Sequence, residues 1–123
     1  MTAAHRPHAL PRGRRLQLPG EFLRVRNEGR RIVVGCLIVN WMETKRTDSR
    51  LGVVTSRKIG SAVIRNRARR LMRECFRRHA SALLQNVDLV MVARNSIGGR
   101  ALGEVEHDYL AALRRGGLIE QPA

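Results

Sequence analysis

Residues 57–78, RKIGSAVIRNRARRLMRECFRR, carry two interleaved patterns. The first is apolar: Val63 and Ile64, Ala68, Leu71 and Met72, then Cys75 and Phe76 recur every three to four residues. This spacing predicts a helix with one buried stripe. The second is basic: Arg65, Arg67, Arg69, Arg70, Arg73, Arg77 and Arg78. At about 100° per residue, Asn66, Arg69, Arg70, Arg73 and Arg77 gather opposite the apolar stripe, with Arg65 and Arg67 flanking them. Ser61 is the expected N-cap, and Gly60 lets the chain turn into the helix. Solvated helix faces normally mix charge signs because neighbouring like charges repel. Here Glu74 is the only acid in the helix. Such a face is relieved by a polyanion, and arginine grips phosphate with two parallel hydrogen bonds. The stretch therefore points to nucleic acid.

The whole chain agrees. Its 123 residues suit one domain with a modest core, and 24 Lys and Arg against 10 Asp and Glu give a formal net charge of +14. With 43% hydrophobic residues it is expected to fold and present that charge on a surface. Aromatics are few (Phe22, Trp41, Phe76 and Tyr109), so a platform of several stacking rings is not expected. Cys36 and Cys75 sit in apolar runs and read as buried thiols in a reducing compartment rather than a disulfide or metal pair. No apolar run reaches membrane-spanning length, and the N-terminus lacks the apolar core of a signal peptide. The cytoplasm is the expected location, with no membrane partner.

Residues 1–14, with Pro7, Pro11, Arg12 and Arg14, read as a mobile basic arm. A short helix is predicted over 19–27, with Phe22, Leu23 and Val25 as its apolar side. Residues 31–42, RIVVGCLIVNWM, are β-rich and split by Gly35, which predicts two short strands or one strand bent at a bulge. A polar loop at 43–49 leads to a strand over 50–56, then the basic helix. The continuous apolar run 87–93, VDLVMVA, reads as a buried strand. A last helix is expected over 103–115, and residues 119–123 as a tail. The order is α-β-β-β-α-β-α, one α+β domain over 15–118. Strand, helix and strand in succession predict a parallel pair. The helices are expected to cover one sheet face and leave the other open to a partner.

Residues for a self-contained catalytic site are not apparent. His5 and His8 fall in the arm, His79 near the apolar stripe, and His107 beside Asp108. Metal-ligand spacings such as C-x-x-C are missing, and the acids are scattered, whereas a two-metal nuclease needs several carboxylates converging. The Arg94–Gly99 segment is glycine-rich but lacks the P-loop order of lysine and serine, and reads as a turn.

The stretch from Arg50 to Phe76 resembles the bacterial ribonuclease P protein subunit. The matching elements are the strand Leu51–Ser56, the pair Arg57-Lys58, Ile59-Gly60-Ser61-Ala62-Val63, then Arg65-Asn66-Arg67 and Arg69-Arg70. Weaker similarity extends over about residues 15–115. The resemblance implies a ribosomal-protein-like two-layer sandwich with a left-handed βαβ crossover around the basic helix. It also implies a chain that assists a catalytic RNA in removing the 5′ leader from precursor tRNA, with Mg2+ held by the RNA and no cofactor on the protein alone. On this resemblance Arg57, Lys58, Arg65, Asn66, Arg67, Arg69, Arg70 and Arg73 contact the catalytic RNA. A cleft between the first helix and the sheet, at Phe22, Arg26 and Asn40, holds the leader, and no obligate protein partner is implied. Arg26 and Asn40 stand where aromatic residues are common in the family, so leader binding is expected to rely on charge and hydrogen bonds more than on stacking. Trp41 is expected to point away from Asn40 into the core. The alternative reading is a ribosomal or nucleoid-type protein that binds folded RNA or DNA with no enzyme partner. It explains the charge but not the ordered signature over 57–70.

Overall fold

The computed structural model describes residues 10–122. The elements are α1 (Pro19–Glu28), β1 (Arg30–Val34), β2 (Leu37–Glu43), β3 (Arg50–Val54), α2 (Ala62–His79), β4 (Val87–Ala93) and α3 (Leu102–Arg115), joined by short 3-10 turns. This is the expected order. The four strands form one sheet in the order β1-β2-β4-β3, with β1, β2 and β4 antiparallel and β3 parallel to β4. The parallel pair is joined through α2.

Gly35 marks a hairpin rather than a bulge: Val34 pairs with Leu37 across a Gly35-Cys36 turn. Gly35 has φ +53°, open to glycine at little cost. Asp108 of α3 closes this turn, its Oδ2 accepting from the Cys36 N–H at 3.0 Å. A methyl at Gly35 would stand 2.1 Å from that same oxygen.

Side chains alternate across the sheet. Leu37, Val39, Trp41, Leu89 and Met91 join Met72 and Phe76 of α2 and Tyr109 and Leu113 of α3 in the main core. Cys36 and Cys75 are buried free thiols in the same core. On the opposite face Met42, Val54, Val90 and Val92 meet Leu16, Phe22 and Val25. The expectation that all helices cover one face is thus corrected, because α1 lies on the other. The sheet is apolar on both faces there, and α1's Phe22 and Val25 cover what would otherwise be wetted. Trp41 is in the main core, and Asn40 faces α1.

The chain ends are more engaged than their composition suggests. Residues 1–9 of the expected arm lie outside the described residues, but Leu10 is buried in the main core and Arg14 stacks on Phe76, its guanidinium carbon 5.9 Å from the ring centroid. At the other end Leu118 and Ile119 are buried, so the packed region runs past residue 118. Local hydrophobicity supplies too weak a signal for such isolated anchors.

The stripe on α2 is shorter than its sequence period. Ala68, Met72, Cys75 and Phe76 are buried and Leu71 is half-buried, but Val63 is 75% exposed and Ile64 39%. Ile64 packs over Gly60, whereas Val63, nine residues before Met72, projects from the opposite side of the helix at about 100° per residue.

Candidate nucleic-acid interface

The turn before α2 sets out the first cations. Ile59 is buried and anchors it, while Arg57 and Lys58 stay exposed. Gly60, at φ +142°, redirects the chain. The Ser61 hydroxyl then accepts from the Ile64 N–H at 3.4 Å, the N-cap expected from sequence. Arg65 reaches back to the Gly60 carbonyl at 3.4 Å. One turn on, Arg69 donates to the Thr55 hydroxyl and to the Asn66 side-chain oxygen, which holds its guanidinium at the sheet edge. Arg73 is half-buried. Burial first, then repulsion from Arg15 and Arg69, pushes its pKa below the ordinary arginine value. Arg15 is tied in place by a 2.8 Å bond to the Leu10 carbonyl.

Among the described residues, no carboxylate lies within ion-pair distance of Arg15, Arg57, Lys58, Arg65, Arg67, Arg69, Arg70 or Arg73. The structure therefore gathers seven of the eight sequence candidates as unmatched cations, with Asn66 bonded to one of them. It adds Arg15 and Thr55, which sequence reasoning missed. Residue type made Arg15 visible, but only the parallel bridge between Arg15 and Leu51 brings it beside α2.

The far end of α2 differs. Glu74 is buried and takes Arg77 with two 2.8 Å bonds and Arg78 with a third. Arg78 also lies 3.7 Å from Glu106 of α3, and His79 Nε2 lies 2.8 Å from the same carboxylate. The expected place of Arg77 on the open basic face is corrected accordingly. The spacing of Glu74 to Arg77 and Arg78, three and four residues, was the available signal.

A second site lies between α1 and the sheet. Leu23, Arg26 and Asn27 of α1 face Arg31, Ile38, Asn40 and Val92 of the sheet around a cavity of about 320 Å³. Asn40 is buried and donates to the Val90 carbonyl at 3.3 Å, which turns its amide toward the cavity floor. Arg26 and Asn40 are thus brought together. Phe22 is not in this lining. It lies over Gly52, where a methyl would come within 2.4 Å of Phe22 Cε2. A glycine inside a strand is the sequence mark of such close approach. Asn27 and Arg31 are the lining residues that sequence reasoning missed.

Arg50 locks α1 to the sheet. It donates to both oxygens of Asp88 at 3.0 and 2.9 Å and to Glu21 at 2.8 Å. The other oxygen of Glu21 accepts from the Leu18 and Gln17 N–H groups at 3.0 Å each. Those backbone bonds, ahead of the Arg50 charge, hold the Glu21 carboxyl below its usual pKa. One glutamate thereby satisfies the start of α1 and fixes it against β3 and β4.

The two thiols are buried. Burial pushes the thiols of Cys36 and Cys75 up to about 12, so neither is a thiolate near neutrality. Among the described residues, no three of His, Cys, Asp and Glu are grouped so as to hold a metal ion. No helix among them is long and apolar enough to cross a membrane.

Comparison with known proteins adds to this geometry. The ribonuclease P family model matches residues 10–116. A ribonuclease P protein component from Syntrophomonas wolfei is 34% identical over 109 residues, covering 89% of this chain and 92% of the relative. The ribonuclease P protein of Thermotoga maritima superposes with a TM-score of 0.75 at 31% identity, covering 87% of this chain and 98% of that one. That of Staphylococcus aureus gives 0.78 at 25% identity, covering 87% and 98%. With the signature on the turn and α2, the matching α+β topology and a family match over almost every described residue, the chain belongs to the ribonuclease P protein family.

Proposed function

We propose that this chain is the protein subunit of a ribonuclease P. It binds the catalytic RNA through the 57–73 surface and the 5′ leader of precursor tRNA through the α1–sheet cleft. It thereby assists endonucleolytic removal of the leader. The observation that carries this reading is the set of cations without carboxylate partners on the turn and the first half of α2. Cations packed side by side repel, and an RNA backbone supplies the missing negative charge with release of its counterions. Arg57, Lys58, Arg65, Arg67, Arg70 and Arg73 supply charge, while Asn66 and Thr55 hold Arg69 in place. Arg26 and Arg31 would meet leader phosphates, and the amides of Asn27 and Asn40 would meet base edges. Phe22 contributes by seating α1 on Gly52. Mg2+ held by the RNA subunit supplies the hydrolytic chemistry, and no residue of this chain is assigned to it. The cytoplasm, where tRNA precursors are made, is the corresponding location.

The test separates the two surfaces in the reconstituted particle. Arg67→Ala should weaken assembly with the catalytic RNA and leave leader dependence nearly intact. Arg26→Ala should leave assembly intact and weaken precursor tRNA binding by about 1 kcal/mol, the scale of one charge-assisted contact, with little effect on mature tRNA. Equal losses for both tRNAs with Arg26→Ala would reject the cleft assignment.

A further inference from the structure

Val63 is the exception on the basic surface. On the α2 helix it stands three residues before Asn66, four before Arg67 and seven before Arg70, which places these four on one outward face. Asn66 and Arg70 are exposed, and Val63 is 75% exposed. Ile64 beside it is 39% exposed and anchored behind by Gly60. A single exposed valine is ordinary on a protein surface. This one, in the first turn of α2, shares its face with Arg67 and Arg70, which have no carboxylate within ion-pair distance among the described residues. If that face met only phosphates, the aliphatic patch would be pressed against the most strongly hydrated part of the RNA and would gain nothing from contact. The apolar surface that an RNA can offer there is the face of a base that has left its stack.

Resting on the RNA-binding reading above, we infer that Val63, backed by Ile64, receives an unstacked base of the catalytic RNA, while Arg67 and Arg70 hold the phosphates on either side. The occupant is a nucleotide in a loop, bulge or junction rather than a paired helix, because a paired base hides its faces from a side chain. The patch would thus fix which part of the RNA the arginines grip, a choice that phosphate contacts alone do not make.

The experiment measures binding of the catalytic RNA to the full chain across a salt series for wild type, Val63→Ser and Val63→Phe. Val63 is exposed, so both variants should keep the wild-type Tm. Val63→Ser is expected to bind roughly three- to tenfold more weakly, as removal of an apolar contact implies, with an unchanged slope of log affinity against log salt because no counterion is involved. Val63→Phe is expected to bind more tightly, since a ring stacks on a base better than methyl groups do. Wild-type affinity in Val63→Ser, a changed salt slope in that variant, or weaker binding by Val63→Phe than by Val63→Ser would each overturn the inference. Arg67→Ala, measured alongside, should lower the slope by about 1. If it does so while Val63 is silent, only this inference fails; if wild type itself shows no salt-dependent binding, the RNA-binding reading fails with it.

Discussion

The two halves of α2 both carry arginines and differ in what those arginines meet. From Arg65 to Arg73 the arginines lack carboxylate partners among the described residues, and Arg73 is half-buried against Arg15 and Arg69. From Glu74 to His79 the arginines are matched: one buried glutamate binds Arg77 and Arg78, and Glu106 of α3 lies beside Arg78 and the His79 ring. Charge density alone would mark both halves as an interface. Charge without compensation marks only the first. The difference lies in where acids can reach, since α3 packs beside the far end of α2 and brings Glu106 to it.

Three kinds of change test this contrast. The largest effect is expected at a matched arginine outside α2, Arg50. Arg50→Met should lower folding stability by about 2 kcal/mol, because it leaves Glu21 and Asp88 half-buried and unpaired, a loss moderated by their partial exposure. Chemical denaturation measures it. The loss should fall on the seating of α1 and leave the unmatched half of α2 intact.

A smaller loss is expected from Glu74→Gln. The amide keeps the shape of the buried carboxylate but loses the charge that holds Arg77 and Arg78, so the Tm should drop. The unmatched half gives the contrary expectation: Arg73→Met should leave Tm unchanged or raise it. The fold depresses the Arg73 pKa, so the charged form is already disfavoured there. A thermal melt of the two variants side by side decides the point.

The smallest effect is a pH dependence. The folded state holds the Glu21 carboxyl below its ordinary value of 4.5. A depressed carboxyl pKa adds stability above the unfolded value, and that stability is lost as pH falls through the folded one. Stability should therefore decline below about pH 4.5, and Glu21→Gln should flatten that decline. An acid titration of the denaturation midpoint measures it.

Much of this contrast was legible in the sequence, at short range. The start of α2 at the Ser61 cap, β4 over Val87–Ala93 and the inward Trp41 follow from capping chemistry, apolar run length and alternation. Gly35 could be read as a break but not as a hairpin, because its turn is closed by Asp108, 72 residues beyond Cys36. The same limit hid the Arg50 lock, the approach of Arg15 to Arg73, and the packing of Leu10 and Ile119. Val63 failed for another reason. It neighbours Ile64, which does continue the buried stripe, but at about 100° per residue Val63 stands on the side of the helix opposite Met72. In the cleft, the family resemblance suggested Arg26 and Asn40, while the departure of Phe22 toward Gly52 required the sheet register.

The salt dependence of catalytic-RNA binding by two double variants, one from each half of α2, separates the two halves. Arg69→Ala with Arg73→Ala should lower the slope of log affinity against log salt by about 2, one counterion for each phosphate that is no longer neutralised. Arg77→Ala with Arg78→Ala should leave that slope unchanged, because those guanidinium groups are held by the carboxylates of Glu74 and Glu106. Equal reductions in both variants, or a reduction only in the second, would contradict the assignment of the RNA surface to the uncompensated half of the helix.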